Sequence, residues 1–237
     1  MDRRIEIEEA LARTRERIDR ARAACGRATP VRLVVVTKTF PASDVVLLDA
    51  LGITDVGENR DQEARAKCEE AARQGARPTW HMIGQLQRNK ARSVARWADV
   101  VESVDRAELV AALGHGAQAA DRDLQVLIQV ALDPEPVRGR GGAHPHDVLP
   151  LAAQIAAQPG LILRGVMGVA PLAPEDPSAA RAAFERLAGV AERLQVEHPA
   201  ALEVSAGMSG DLEEAIAAGA TQVRVGGAVL GGRPPVE

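Results

Sequence analysis

Val31-Arg32-Leu33-Val34-Val35-Val36-Thr37-Lys38-Thr39-Phe40-Pro41 opens on β-forming apolar residues, closes on a lysine and passes to Thr-Phe-Pro without a glycine. A run rich in Val and Leu with little polar alternation fits a strand buried on both faces of a parallel sheet. The absent glycine narrows the architecture. An open doubly wound sheet, the alternative, places a glycine-rich phosphate turn after its first strand.

Runs of the same kind recur at 54–56, 79–83, 100–103, 124–130, 161–167, 202–205 and 222–225, giving eight expected strands with the first at 31–38. Amphipathic stretches separate them at 42–51, 61–74, 87–97, 106–120, 145–157, 178–197 and 211–218. Alternating strands and helices predict parallel βα units. Their simplest closure is one α/β domain over residues 1–237, a (β/α)8 barrel of the TIM type with an extra N-terminal helix. That helix lies within 1–27, carries Ile5, Leu11 and Ile18 on a charged background, and is expected to pack on the barrel. No Pro/Gly-rich linker divides the chain. The least regular segment, 133–145, follows the fifth strand and reads either as a cover over the strand ends or as a plain surface loop. The tail 231–237 reads as flexible.

Composition excludes several classes. At 46% apolar and 26% charged residues the chain is an ordinary globular sequence, and its net charge of −4 creates no basic field for nucleic acid or an anionic membrane. No apolar run approaches the length of a membrane span, and the N-terminus lacks the apolar core of a signal peptide, so a cytoplasmic location is expected. Cys25 and Cys68 form no disulfide framework or metal-ligand spacing and read as structural; no metal site is expected.

The chemistry gathers where strands end. A lysine closing a buried strand is poorly solvated, and a desolvated neutral amine is the nucleophile of Schiff-base chemistry. The plainer reading of Lys38 is a strand-end lysine that snorkels to water. Near the other end, Ser205-Ala206-Gly207-Met208-Ser209-Gly210-Asp211 lies between the seventh strand and a helix, and Gly226-Gly227 follows the eighth. Hydroxyls and free N–H groups at such turns suit a phosphate, and the loops after strands 7 and 8 are where a βα barrel often binds one. Ser-x-Gly-x-Ser reads as well as a capped turn. Closure places Arg224, on the last strand, beside Lys38 on the first. A lysine, an arginine and a phosphate cradle on adjacent strands suit pyridoxal phosphate. Lys38 would form the imine, Ser209 and the glycine amides would hold phosphate, and Arg224 would face the pyridine nitrogen. Asn59, in Gly57-Glu58-Asn59, is placed to bond the pyridine hydroxyl or to cap a turn. His81 reads either as a satisfied core histidine or as a group lining the site, and Met167 and Gly168 as pocket wall or core.

Val36-Thr37-Lys38-Thr39, Gly57-Glu58-Asn59, the stretch from Trp80 to Lys90, Ser205–Asp211 and Val223-Arg224-Val225-Gly226 together resemble the pyridoxal phosphate homeostasis protein family, also called the YggS or PROSC family. The resemblance implies a barrel like the N-terminal domain of alanine racemase, pyridoxal 5′-phosphate as cofactor, and an internal aldimine at Lys38. It carries phosphate contacts to Ser209, Ser205 and the Gly226-Gly227 turn, and the pyridine-nitrogen contact to Arg224. Gly227 stands where many members have a hydroxyl residue, Ala206 replaces a frequent methionine, and Phe40 stands where lysine is often found. The basic residue often found in the loop after strand 5 falls on Arg138 or Arg140.

An amino-acid racemase is the enzyme alternative. In enzymes of the alanine racemase type the second base is a tyrosine from a C-terminal domain; this sequence has no tyrosine, and that domain is expected to be missing. An arginine facing the pyridine nitrogen leaves that nitrogen unprotonated and a weak electron sink. The expectation is therefore a non-catalytic, monomeric protein that binds the cofactor and buffers or delivers it, with pyridoxal-phosphate-dependent apo-enzymes as recipients.

Overall fold

Eight short parallel strands, each hydrogen-bonded to the next, close into a barrel when β1 pairs with β8. The structure, a computed structural model, describes residues 2–133, 140–171 and 177–232. The strands are β1 (Arg32–Val36), β2 (Asp55–Glu58), β3 (Thr79–Met82), β4 (Val100–Val104), β5 (Leu124–Val130), β6 (Leu161–Gly168), β7 (Glu203–Ser205) and β8 (Gln222–Val225). Helices α1 (Arg3–Ala24), α2 (Ala42–Ala50), α3 (Asp61–Arg73), α4 (Ala91–Val94), α5 (Ala107–Ala119), α6 (Val148–Ala157), α7 (Pro177–Glu197), α8 (Leu212–Ala217) and α9 (Gly227–Leu230) surround them.

Helix spacing explains the outer layer. On α5, Leu109, Leu113 and Ala117 recur every four residues and are fully buried. Each fully buried leucine is worth about 1.5–3 kcal/mol in transfer from water. On α1 the buried stripe is Ile7, Ala10, Leu11, Thr14 and Ile18, while Ile5 is 47% exposed. Ile5 was expected on the apolar face. The buried series Ile7, Leu11, Thr14, Ile18 runs i, i+4, i+7, i+11, and Ile5, two residues before Ile7, falls on the opposite side of the helix; the one polar member, Thr14, has its hydroxyl satisfied by the Ala10 carbonyl at 2.8 Å. Asp2 caps α1 by accepting from the Arg4 N–H at 3.0 Å, and the helix lies against α2, α8 and α9.

Some boundaries differ from the sequence reading. β1 ends at Val36, so Lys38 lies in the turn beyond the strand rather than on its last residue. The helix expected over 87–97 is a 3-10 turn, Arg88–Lys90, and the four residues of α4. Bonds from Arg96 N–H to Ser93 O and from Trp97 N–H to Val94 O tighten the segment, and the Trp97 indole is drawn onto Asp61 at 3.0 Å. α6 starts at Val148, not at 145, and α9 was not foreseen. Cys25, expected to be structural, is exposed at the end of α1.

β6 carries one positional demand. Gly165 has φ +152°, and a Cβ there would run into the Glu203 carbonyl of β7. The β5–β6 register shifts beside it, between Val126 and Leu127. Among the described residues, no helix is long and apolar enough to cross a membrane. The tail residues 233–237 and the segment 134–139, with Arg138, lie outside the described residues.

Candidate ligand site at the C-terminal ends of the strands

Lys38 and Arg224 line one cavity of about 360 Å³, with Asn59, Gln129, Arg140, Met167 and Met208 among its walls. Of the seven residues expected to bind a cofactor, the structure brings these three together: Lys38, Asn59 and Arg224. Ser205, Ser209, Gly226 and Gly227 are not among the cavity's walls.

Lys38 is aimed by a buried ionic support. Thr39 adopts φ +70°, a left-handed conformation that is uncommon for a β-branched residue. Its N–H donates to Glu63 Oε1 at 2.5 Å. Lys67, only 6% exposed, donates to the Thr37 carbonyl and Glu58 Oε1 at 2.7 Å each, and to Glu63 Oε1 at 3.1 Å. The Thr37 hydroxyl donates to the same Glu58 oxygen at 2.6 Å. Residues 37 and 39 are thus pinned on both sides of Lys38. Burial raises the Glu58 carboxyl above its ordinary range despite the Lys67 charge. Burial pushes the Glu63 carboxyl the same way, but the Thr39 N–H and Lys67 outweigh it and bring it down. Glu58 Oε2 and Thr39 Oγ1 are buried and find no hydrogen-bond partner among the described residues.

Arg224 is held from inside the barrel. Its Nη1 donates to Ser205 Oγ at 2.5 Å and its Nη2 to the Gly168 carbonyl at 2.9 Å. Ser205 in turn donates to Glu102 Oε2 at 2.5 Å, and Gln222 donates to Glu102 Oε1 at 2.9 Å. His81 lies between Glu102 (2.6 Å from Nδ1) and Asp55 (3.1 Å from Nε2). Burial alone would lower the imidazolium, but the hydrogen bonds and charges of Asp55 and Glu102 prevail and raise its pKa to about 9. With carboxylates at both ring nitrogens, both N–H groups donate and the ring is the cation. The same contacts lower Glu102 against its complete burial, whereas burial lowers Arg224 despite the charge of Glu102. Asp55, His81, Glu102 and Arg224 therefore form an alternating, self-neutralising row. His81 belongs to the core and not to the cavity wall.

Ser205 was expected to touch phosphate. Its side chain is fully buried, and its hydroxyl is committed to Glu102 and Arg224. That geometry makes it a support for Arg224. The turn after β7 presents more open backbone groups. Gly207 has φ +89°, and a Cβ there would meet Ala215 Cβ at 2.7 Å, so only glycine fits. Its carbonyl accepts from the Arg224 N–H at 2.9 Å, while Met208 N–H donates to Asp211 Oδ1 at 2.6 Å. Among the described residues the N–H groups of Ser209 and Gly210 have no acceptor, nor does the Ser209 hydroxyl a partner. Successive free N–H groups in a turn form an anion nest. At the start of α9 Gly226 is half-buried and Gly227 exposed, and a Cβ on Gly227 would meet nothing within 4 Å among the described residues.

Of the loop after β5, Arg140 lies in the cavity wall. It donates to the Val169 and Ala170 carbonyls at 3.0 and 2.7 Å and pairs with Asp133 at 2.9 Å. Gln129 reaches the Gly141 carbonyl at 2.8 Å, tying the same loop to β5. The sequence reading missed Glu102, Glu63 and Lys67. A glutamate inside the β-forming run Val100–Val104 was the available signal for the first. Lys67 and Glu63, on a charged helix, gave none.

The alanine racemase N-terminal domain family matches residues 10–234. The pyridoxal phosphate homeostasis protein of Mycobacterium tuberculosis is 43% identical over 248 residues, covering 98% of this chain and 95% of that protein. The pyridoxal phosphate homeostasis protein of Corynebacterium glutamicum is 45% identical over 213 residues, covering 86% and 91%. The structure of PipY from Synechococcus elongatus with pyridoxal phosphate bound is similar at a TM-score of 0.81 and 33% identity, over 94% of this chain and 99% of that one.

Proposed function

Because the chain belongs to the pyridoxal phosphate homeostasis protein family, built on the alanine racemase N-terminal domain, we propose that it holds pyridoxal 5′-phosphate through a Schiff base on Lys38. In this reading it serves intracellular cofactor homeostasis, buffering or delivering the cofactor. The observation that carries it is that Lys38 and Arg224 line the same cavity at the C-terminal ends of the strands. At about 360 Å³ the cavity falls within the range of about 300–1,000 Å³ of small-molecule sites.

The donor set fits the cofactor group by group. Lys38 supplies the amine for the aldehyde, Arg224 a donor for the ring nitrogen, and Asn59 an amide for the ring hydroxyl. The N–H groups of Ser209 and Gly210, without acceptors among the described residues, would supply the phosphate cradle together with the Ser209 hydroxyl and the Gly226-Gly227 turn. When bound, the cofactor contributes an electrophilic aldehyde and a π-system able to delocalise charge. The guanidinium of Arg224 stays protonated, so it donates to the ring nitrogen and keeps that nitrogen from becoming a strong electron sink. This favours a carrier over a racemase. Recipient apo-enzymes would take the cofactor from a single copy of the chain.

The test is the visible absorption spectrum during titration with pyridoxal phosphate, wild type beside Lys38→Ala. An imine band in the wild type alone supports the reading, and no band in either protein overturns it. Amino-acid turnover by the loaded protein with kcat above about 1 per second would overturn the carrier assignment.

A further inference from the structure

We propose that Arg17, on α1 and outside the cavity, is a positioning residue that sets the protein's preference for a phosphorylated ligand. This rests on the reading of the Ser209 turn as a phosphate cradle.

Arg17 Nε and Nη2 donate to Glu213 Oε1 and Oε2 at 2.9 Å each, a two-pronged pair that fixes the plane of the guanidinium. Nη1 and Nη2 both donate to the Ser209 carbonyl at 3.2 Å. Lysine could not make both forks at once. A trans peptide carries its C=O and the following N–H on opposite sides. Drawing the Ser209 carbonyl onto α1 therefore turns the Gly210 N–H away from α1. That N–H is one of the two without an acceptor among the described residues. Arg17 thus orients a donor of the nest by gripping the far side of the same peptide.

Other arginines near α1 repeat the grip. Arg3 donates to the Leu230 carbonyl at 3.0 Å, at the end of the helix that follows Gly226-Gly227. Arg27 donates to the Ala220 carbonyl at 2.6 Å, just before β8. The N-terminal helix braces the backbone of the last two βα units, and Arg17 is the contact that falls on the nest itself.

The experiment measures equilibrium affinities for pyridoxal phosphate and for pyridoxal, which lacks the phosphate, in wild type, Arg17→Ala, Arg17→Lys and Ser209→Ala. Arg17→Ala is expected to weaken pyridoxal phosphate about tenfold, as for loss of one well-made bond to a charged group, and to move pyridoxal less than about twofold. Arg17→Lys is expected to recover only part of the loss, and Ser209→Ala to show the same selectivity. An equal loss for both ligands would reduce Arg17 to a structural residue. No loss for either, with Ser209→Ala still selective, would overturn the inference and leave the cradle intact. Failure of the wild type to bind pyridoxal phosphate would instead overturn the underlying reading. Circular dichroism and a thermal melt of each variant establish that the fold is kept.

Discussion

Glu102 and Arg224 stand 3.8 Å apart with the Ser205 hydroxyl between them, donating to one and accepting from the other. The carboxylate also receives His81 and Gln222, so one buried anion orients three side chains from three other strands. Glu102→Gln keeps the shape and removes the charge. Removing one partner of a buried ionic group costs about 3–5 kcal/mol. A loss of that size is expected in urea unfolding, together with weaker binding of pyridoxal phosphate because Arg224 loses its support. Unchanged stability would mean that the row is not ionised as described.

The same row makes stability depend on pH. His81 has an ordinary pKa near 6.5 and about 9 in the fold, where it faces Asp55 and Glu102. The folded protein therefore holds this proton more tightly than the unfolded chain. The stabilisation is fully present below about pH 6.5 and is lost as pH rises through about 9. It is on the order of 3 kcal/mol. Urea midpoints of the wild type are expected to fall between pH 6.5 and 9.5, while those of His81→Gln stay nearly level across that range. Parallel curves would assign the dependence to other groups.

The strands were legible because burial on both faces demands apolar β-formers, and Val31–Val36 and Leu124–Val130 satisfy that demand in plain sequence. That Lys38, Asn59 and Arg224 would meet in one cavity was legible because a closed barrel brings the ends of β1, β2 and β8 together. The supports were not. Glu102 meets Ser205 across 103 positions of chain, a pairing visible only once the barrel is built. Ser205 was misplaced for the same reason: its motif shows a hydroxyl near a turn, but not that Glu102 and Arg224 claim it first. Arg17 is one of many arginines on a solvated helix, and nothing in its neighbours marks it as the one that reaches Ser209.

Lys67 and Glu58 form a second buried pair, at 2.7 Å. Lys67→Met leaves Glu58 and Glu63 without their shared cation, and a loss of about 3 kcal/mol is expected. Glu58→Gln in the same chain removes one of the stranded charges. The double variant should therefore be more stable than the sum of the two single losses by about 1 kcal/mol or more, measured as a double-mutant cycle in urea. Simple additivity would show that the two side chains do not act as a pair.

Gly165 tests the barrel's closure. Its φ of +152° and the Glu203 carbonyl at the site of a Cβ leave no room for a side chain. The β6–β7 pairing that would have to give way includes Gly165 against Glu203 itself. Gly165→Ala is expected to lose more than about 3 kcal/mol or to fail to fold. Gly210→Ala, where a Cβ meets nothing within 4 Å, should change stability far less. A wild-type melting curve for Gly165→Ala would mean that the strand can shift without cost.

Thr39 holds its left-handed backbone beside Lys38 although its own hydroxyl is buried without a partner among the described residues. Two local costs are thus concentrated at one residue. Strain of this kind is worth about 1–3 kcal/mol. Thr39→Gly relieves it and removes the stranded oxygen, against about 0.5–1 kcal/mol from the added freedom of the unfolded chain. The variant is expected to be more stable by about 1 kcal/mol. The Glu63 bond to the residue-39 N–H survives, but glycine allows the turn to relax, so Lys38 is presented less rigidly and affinity for pyridoxal phosphate should fall several-fold. Thermal melts and cofactor titration of one preparation read both effects. A gain in stability with unchanged affinity would show that the turn's strain has no part in aiming the lysine, and a loss of stability would show that the Thr39 side chain is itself a supporting contact.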